Sequence, residues 1–454
     1  MHDEAFLHKS EPPKIHARHK RRQIWRAVIT SILVLLVVWM VLFILAIGQL
    51  LAAGLDVRDR LIQASEAVQN QEFEHARQEV AYASGSLKEL EQFLTFFDSI
   101  WFIPGLDREL ADMQSVFVSS RLLLDSLDGV FKLGQDIVQL AGLTSEHISD
   151  VQTLISPEST FQDLPTATKH SILQRLSTAS DDFDLLSARI QIATIEFERL
   201  RTNRLMAPFI GVLDPFLDHM EAVHQELRVA STFAHVLPEL AGLDGERTHL
   251  LLFLNNDELR PGGGFIGTYG VLNTKNGEII SLLTKDVYAL DQLSEGYLQT
   301  VPPEPLKKYN ATTTWYLRDA NWDPDFAQSA IDVIDLFEKE SVFVEAESAV
   351  PSSTHIDGVI GFTPNFASAL LSYLGPIEVG GQVFHADNVP ELIEYEVEQG
   401  FQQNGIPYPQ RKEILAELVR QIQDRLVELP FAKWQSIFYL LAQNIQHKQL
   451  AMYS

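Results

Sequence analysis

The 454-residue sequence contains no cysteine. Disulfide bonds, thiolate metal sites, a cysteine nucleophile and a lipidated cysteine anchor are therefore excluded. The chain is also poor in basic residues, with 35 Lys and Arg against 61 Asp and Glu and a net charge of -26. Binding to a phosphate backbone requires a basic surface, which this acidic composition does not indicate. The composition therefore argues against nucleic acid as a partner. No Ser-His-Asp set, zinc-type His pair or dinucleotide fingerprint is recognisable.

One long hydrophobic run, over residues 27–53, carries no charge. As a helix it is long enough to cross a hydrocarbon core of about 30 Å, which predicts a transmembrane helix. A cleaved signal peptide is the alternative, but its apolar core is usually only about 7–15 residues long. Residues 1–26 hold seven Lys and Arg against three Asp and Glu, which predicts a basic cytoplasmic tail. We therefore expect a single-pass protein of the cell membrane, with the lipid bilayer as a partner and the bulk of the chain extracytoplasmic.

Two unlike segments follow this run. Residues 54–243 repeat apolar side chains at three- and four-residue steps, which predicts an α-helical stalk or bundle. Residues 244–454 interleave strand-like and helix-like patterns, which predicts an α/β domain with a mixed sheet and helices. The final residues, 449–454, resemble the start of a strand, so we expect the C-terminal domain to be incomplete.

The α/β segment has one strong local signal, an Asn-Gly pair at Asn276 and Gly277 between two strand-like runs. A type I′ turn needs positive φ at both central residues, so this pair predicts a β-hairpin over 265–286. The remaining predicted elements are strands over 249–254 and 355–362, a small hairpin over 376–385, and helices over 326–338, 364–373, 387–398, 410–429 and 430–446.

A glycine-rich segment follows the first predicted strand, with Gly262, Gly263 and Gly264 directly after Arg260 and Pro261. Glycines allow the backbone to approach a ligand closely, and their amides can form a concave nest for an anion. A Walker-type loop is excluded because no Gly-Lys-Ser/Thr follows and the next element is a strand. A tight turn between strands explains the same residues without a ligand.

Charged residues nearby are candidates for the same site. Pairing of the hairpin strands is expected to return Lys285 and Asp286 towards the glycine-rich loop, so Lys285 and Arg260 are predicted to form a seat for a diphosphate. Asp257 and Asp286 are the candidate catalytic groups. An ordinary surface ion pair is the alternative for Lys285 and Asp286.

A second polar loop, residues 318–325, carries Asp or Asn at alternate positions as a calcium loop does. Pro324 and Ala330 stand where such a loop needs Gly and Glu, which argues against calcium. Asp325 is predicted to cap the helix that follows. Arg318 is predicted either to clamp a phosphate or to lock the loop through a salt bridge. The candidate ligands for a metal, with Mg²⁺ as the candidate ion, are Asp257, Asp286 and Asp319.

The order of these segments resembles a bacterial membrane-anchored family, the domain of unknown function 4012 family. The strings that carry the resemblance are LLLFLNNDELRPGGGFIGTYG, RDANWDPDF and GFTPNFASALLSYLGPIEVGG. The likeness covers the chain from about Leu50 onward. Because the family's function is itself unsettled, the resemblance implies a fold rather than a reaction.

A fainter similarity is to the LytR-CpsA-Psr phosphotransferases, which move polymers from polyprenyl diphosphate carriers onto the cell wall. It implies that Asp257 and Arg260 correspond to the acidic residue and the Arg that follow the first strand in that family. It also implies that Lys285 and Asp286 correspond to the Arg-Asp pair at the end of that family's hairpin. That family's other catalytic Arg has no counterpart here, because Phe-Ile-Gly stands at 265–267. Lys in place of the second Arg loses bidentate phosphate geometry.

Two functions follow as expectations. The first is a cell-envelope protein that binds a diphosphate-linked precursor, such as a polyprenyl-diphosphate-linked glycan or cell-wall polymer, through Arg260, Lys285, Arg318 and the three glycines. Mg²⁺ held by Asp257 or Asp286 would bridge the phosphate oxygens. The alternative is a non-catalytic envelope module that presents an α/β head on a helical stalk to a partner.

Overall fold

A computed structural model describes residues 15–69, 72–95, 106–140, 160–203, 207–344 and 355–454. Its strands are β1 Arg247–Asn255, β2 Phe265–Lys275, β3 Glu278–Asp286, β4 Gly358–Phe362, β5 Ile377–Val379, β6 Gln382–Phe384 and β7 Leu450–Tyr453. Its helices are α1 Ile15–Gln69, α2 Phe73–Thr95, α3 Leu106–Leu140, α4 Thr166–Arg201, α5 Ala207–Leu240, α6 Val287–Ser294, α7 Glu304–Tyr309, α8 Phe326–Ser341, α9 Pro364–Leu374, α10 Val389–Tyr395, α11 Phe401–Gln403, α12 Glu413–Val427 and α13 Phe431–Gln446. Short 3₁₀ turns lie at Leu317–Asp319 and Tyr408–Gln410, and a π-helical turn lies at Glu396–Gly400.

The chain divides into two compact units. The first comprises Met1–Asp128 and Ile192–Met220, and the second comprises Gly129–Gln191 and Glu221–Ser454. The second unit contains every strand described above, and therefore all of the predicted site residues.

Within the first unit, α1 and α2 pack as an antiparallel pair. Arg60 Nη1 donates to Glu79 Oε2 at 2.9 Å, and Ser86 Oγ donates to Asp56 Oδ2 at 2.6 Å. The later residue of α1, Arg60, therefore contacts the earlier residue of α2, Glu79, as antiparallel helices require. The buried residues between the helices include Leu61, Ala64, Val80 and Ala83.

The predicted membrane-spanning helix over 27–53 is wrong. Among the residues that the structure describes, no helix combines the length and the apolar character needed to cross a membrane. The apolar run lies instead inside α1, one continuous helix of 55 residues that takes in charged residues on both sides of the run. The predicted single-pass topology, cytoplasmic tail, extracytoplasmic body and cell-membrane localisation all depended on that span and are wrong with it. The lipid bilayer as a partner stays a prediction.

The second unit is built around a mixed sheet of five strands in the order β3-β2-β1-β4-β7. β1 and β4 are parallel, and the other neighbouring strands are antiparallel. The apolar run predicted as a buried strand forms the centre of β1. The predicted strand start near the C-terminus forms β7, which pairs with β4.

The hairpin prediction is confirmed. β2 and β3 pair from Thr268 with Asp286 to Lys275 with Glu278, with one shift of register between Asn273 and Thr274. Asn276 and Gly277 between them have φ values of 53° and 81°, the positive φ that a type I′ turn requires.

The sheet separates two cores, because successive side chains of a strand point to opposite faces. Leu250 and Leu252 of β1 pack in one core with Phe337 of α8. Phe362 of β4 lies on the opposite side and packs with Leu418 of α12 in the other core. The arrangement places α6 and α8 on one face and α9, α10, α12 and α13 on the other.

Candidate functional site

Arg260 and Arg318 are brought together by one carboxylate, that of Asp319. Arg260 Nε donates to Asp319 Oδ1 at 3.0 Å, and Arg318 Nε lies 3.7 Å from Asp319 Oδ2. Arg318 Nη1 also donates to Asp291 Oδ2 at 2.7 Å. The two predicted cations therefore share a site, and each is already paired with a carboxylate.

The glycine-rich loop is packed against the polar loop that contains Asn321. The amide of Gly262 donates to the carbonyl of Asn321 at 3.0 Å, and Asn321 Nδ2 donates to the carbonyl of Gly264 at 2.6 Å. A Cβ atom at Gly262 would lie 2.4 Å from the carbonyl oxygen of Asn321. The absence of a side chain at Gly262 thus allows the backbone of Asn321, rather than a ligand, to approach closely.

The amide of Gly263 is also used within the loop, since it donates to the carbonyl of Arg260 at 3.1 Å. Gly264 has a φ of 143°, and a Cβ atom there would lie 2.4 Å from the carbonyl oxygen of Asn255. These contacts fit the alternative interpretation of the segment, a tight turn between two strands.

Lys285 and Asp286, adjacent on β3, have different surroundings. Lys285 is exposed, and in the described part of the chain it does not share the carboxylates that bind Arg260 and Arg318. Asp286 is mostly buried, and its Oδ1 atom accepts from Lys412 Nζ at 2.8 Å. The carboxylate also caps α6, because it accepts from the amide of Tyr288 at 3.1 Å.

Arg411 and Lys412 precede α12, and neither is predicted from the sequence as a site residue. Lys412 Nζ donates to the carbonyl of Gly267 as well as to Asp286. Arg411 Nε lies 3.9 Å from Asp286 Oδ2, and its Nη1 donates to Glu398 at 3.2 Å. Burial lowers the pKa of Lys412, and the charge of Asp286 opposes this shift. The only sequence signal for these residues is a pair of adjacent cations before an amphipathic helix.

A cavity of about 810 Å³ lies within the second unit, between the sheet and helices α9, α10 and α12. Its wall is mostly apolar, and Arg411 and Lys412 both line it. Apolar residues from four elements contribute to the wall: Leu251, Phe253, Leu282, Leu370, Leu418 and Ile422.

The lining residues of the cavity follow one strand and one helix. Phe265 and Leu272 of β2 both line it, a separation of about 23 Å along a strand. Leu415 and Val427 of α12 both line it as well, about 18 Å apart along a helix. The wall of the cavity therefore extends from Lys412, at the start of α12, along most of that helix.

The polar end of the cavity adjoins the Arg260–Arg318 site through two aromatic rings. The rings of Phe265 and Tyr288, which both line the cavity, have centroids 6.2 Å apart. The guanidinium of Arg260 lies 5.2 Å from the Phe265 ring, and that of Arg318 lies 5.5 Å from the Tyr288 ring. Lys412 Nζ lies 5.7 Å from the Tyr288 ring. Lys412, rather than Lys285, is therefore the lysine next to the two predicted arginines.

Behind Arg318 lies a buried pair of carboxyl groups, Asp291 and Glu340. Burial and the charge of Asp291 raise the pKa of Glu340 to about 9, and burial also raises the pKa of Asp291. Glu340 Oε1 accepts from the amide of Leu317 at 2.7 Å. At neutral pH Glu340 is therefore protonated, and Asp291 carries the charge that pairs with Arg318.

The candidate metal ligands do not converge. Among the described residues, no group of three or more His, Asp or Glu side chains is arranged to hold a metal ion. Asp257 is exposed and lines the cavity, Asp286 contacts Lys412, and Asp319 contacts Arg260. The Mg²⁺ expected from the sequence stays a prediction.

Comparison with known families identifies part of the chain. Residues 244–397 match the family model described as "Protein of unknown function (DUF4012)". The match supports the resemblance that the sequence strings indicated, over a range that begins before β1 and ends within the π-helical turn. No curated protein and no solved structure matches the chain.

Proposed function

We propose that the α/β part of the second unit binds an amphipathic ligand, whose apolar chain occupies the cavity and whose polar head lies beside Lys412. The single observation that carries the proposal is the apolar cavity of about 810 Å³ with two cationic side chains in its wall. Ligand pockets in proteins are typically about 300–1,000 Å³, mostly apolar, with a few polar groups that fix orientation.

The size of the cavity argues for an occupant. Protein interiors are close-packed, and apolar side chains that line an open space lack the packing partners that a close-packed interior would supply. Leu251, Leu418 and Ile422 are buried and line this space. An apolar chain inserted along α12 would supply those packing partners, and its burial would contribute about 25 cal/mol per Å² of apolar surface.

The diphosphate-linked precursor inferred from the sequence is a ligand of this class, because a polyprenyl diphosphate is a long apolar chain with a charged head. The length of the cavity and the cations at one end support it. The glycine-rich loop and Arg260 are less suited to hold the head, since the amides of Gly262 and Gly263 and the Nε atom of Arg260 already donate to groups of the protein. The same partners favour the second function, a non-catalytic module in which this loop is structural.

The proposal is tested by filling the cavity. Ala367 on α9 lines it, so Ala367→Trp would place an indole in the space that the chain occupies. Ala289→Trp is the matched control, because Ala289 is exposed on α6 and does not line the cavity. The full chain is titrated with the neutral fluorescent probe N-phenylnaphthylamine, and tetradecanol is used to displace it.

We expect saturable binding of the probe to the native chain and to the Ala289→Trp variant, with displacement by tetradecanol. Ala367→Trp should weaken probe binding by about tenfold or more, a loss of about 1.4 kcal/mol. Equal binding by the two tryptophan variants, or no saturable binding by the native chain, would rule the proposed function out.

A further inference from the structure

The polar end of the cavity contains an unequal number of buried charges. The side chains of Arg411, Lys412 and Asp286 are 6%, 9% and 12% exposed. Two buried cations therefore face one buried carboxylate. A buried charge without a counter-charge is costly, so this arrangement has a deficit of one negative charge.

The acidic residues that line the cavity do not remove the deficit. Asp257, Glu258, Glu394 and Glu398 line the cavity, but all four side chains are exposed. Glu398, which accepts from Arg411, is 59% exposed. Charges in contact with water are screened and contribute little to neutralising a buried cation.

Unused hydrogen-bond donors lie at the same place. Arg411 Nε is buried and has no hydrogen-bond partner. Lys412 has three N–H donors, of which the carbonyl of Gly267 and the carboxylate of Asp286 account for two. The cavity wall therefore offers donors as well as positive charge.

The neighbouring cluster differs in this respect. Arg260 and Arg318 are matched by the two carboxylates of Asp319 and Asp291, and Glu340 is neutral. The positive and negative charges of that cluster are therefore equal in number, whereas those at the Arg411 end of the cavity are not.

From this contrast we infer that Arg411 and Lys412 form an oxyanion subsite, and that the ligand's head group is a phosphate or a carboxylate. The inference rests on the proposed function, because it assigns the head of the same ligand. An oxyanion would supply the missing negative charge and accept from Arg411 Nε and from the third donor of Lys412. Charge-assisted hydrogen bonds of this kind are about twice as strong as neutral ones.

The inference is tested by competition among amphiphiles that share a fourteen-carbon alkyl chain and differ in their head group. N-phenylnaphthylamine bound to the full chain is displaced in parallel by tetradecyl phosphate, tetradecanoate, tetradecanol and tetradecylamine. We expect the phosphate or the carboxylate to compete at least about tenfold better than the alcohol, and the amine to compete worst. Comparison of the two acids identifies which oxyanion the subsite prefers.

Three variants locate the effect. Lys412→Met should reduce the preference for the acid over the alcohol by about tenfold while the probe still binds. Lys412→Arg, which retains the charge, should preserve the preference. Arg420→Gln is the control, because Arg420 lies on α12, which Lys412 precedes, and is 61% exposed. It should behave as the native chain does.

The outcomes separate the two proposals. If the native chain binds the probe but acid and alcohol compete equally, the oxyanion subsite is refuted and the proposed function stands. If Lys412→Met and Arg420→Gln change the preference equally, the subsite is also refuted. If the native chain does not bind the probe, both proposals fail. The native comparison decides the question even where a variant does not fold.

Discussion

Lys412 Nζ lies 2.8 Å from Oδ1 of Asp286, although 126 residues separate the two in the sequence. The contact joins the start of α12 to the end of β3. Asp286 also caps α6, so one carboxylate positions elements on both faces of the sheet. The same contact holds the lysine in the wall of the cavity.

Asp286→Asn should therefore destabilise the chain. Asparagine still caps α6, but the buried charges of Lys412 and Arg411 lose their counter-charge. Breaking a buried ion pair by removing one partner costs about 3–5 kcal/mol, and we expect a loss of this order in the free energy of unfolding. Chemical denaturation measures it.

Asp335→Asn is the control for this variant. Asp335 pairs with Lys339 on the surface of α8 and is 55% exposed, so its loss should cost less than about 1 kcal/mol. Similar losses for the two variants would contradict the role assigned to Asp286.

Gly264→Ala should destabilise the loop between β1 and β2. An alanine there would have to adopt a φ of 143°, with its Cβ atom 2.4 Å from the carbonyl oxygen of Asn255. We expect a loss of about 2–4 kcal/mol from backbone strain and steric overlap, measured by denaturation. Gly85→Ala is the comparison, because Gly85 lies in α2 with open space around it and should gain about 0.5–1 kcal/mol. A Gly264→Ala variant as stable as the native chain would contradict the requirement for glycine at this position.

The local elements of this fold were predictable, and the site only in part. The hairpin follows from Asn276 and Gly277 because the required φ values are a property of those two residues. Capping of α8 by Asp325 follows in the same way, and its carboxylate accepts from the amide of Ala327. Both signals lie within a few residues of the structure that they specify.

The site depends on contacts that no local pattern contains. The sequence pattern predicts one site for Lys285 and Asp286, but alternation along β3 points them to opposite faces. Of the two, Asp286 contacts Lys412, which lines the cavity. Arg411 and Lys412 join the site because α12 packs beside β3. The membrane prediction rested on the uncharged run alone, and no helix among the described residues is long and apolar enough to span a membrane.

The buried pair of Asp291 and Glu340 predicts a pH dependence of stability. The pKa of Glu340 is raised to about 9, whereas a glutamate in an unfolded chain titrates near 4.3. Between these values the native chain keeps a proton that the unfolded chain releases. The free energy of unfolding should therefore fall as pH rises through this window, by up to about 1.4 kcal/mol per pH unit.

Glu340→Gln should flatten this dependence between pH 6 and pH 9, because glutamine is neutral throughout and can still accept from the amide of Leu317. Denaturation at several pH values measures the slope. Glu338→Gln on the exposed side of α8 is the control and should keep the native slope. An unchanged slope in the Glu340→Gln variant would show that Glu340 is not protonated in the native chain.

The central claim is that an amphipathic ligand lies along α12 with its head at Arg411 and Lys412. A crystal structure of the full chain with tetradecyl phosphate tests this most directly. We predict an alkyl chain between Leu251 and Leu418, with phosphate oxygens within hydrogen-bond distance of Arg411 Nε and Lys412 Nζ. An empty or collapsed cavity, or a phosphate held at Arg260 and Gly262 instead, would contradict the account.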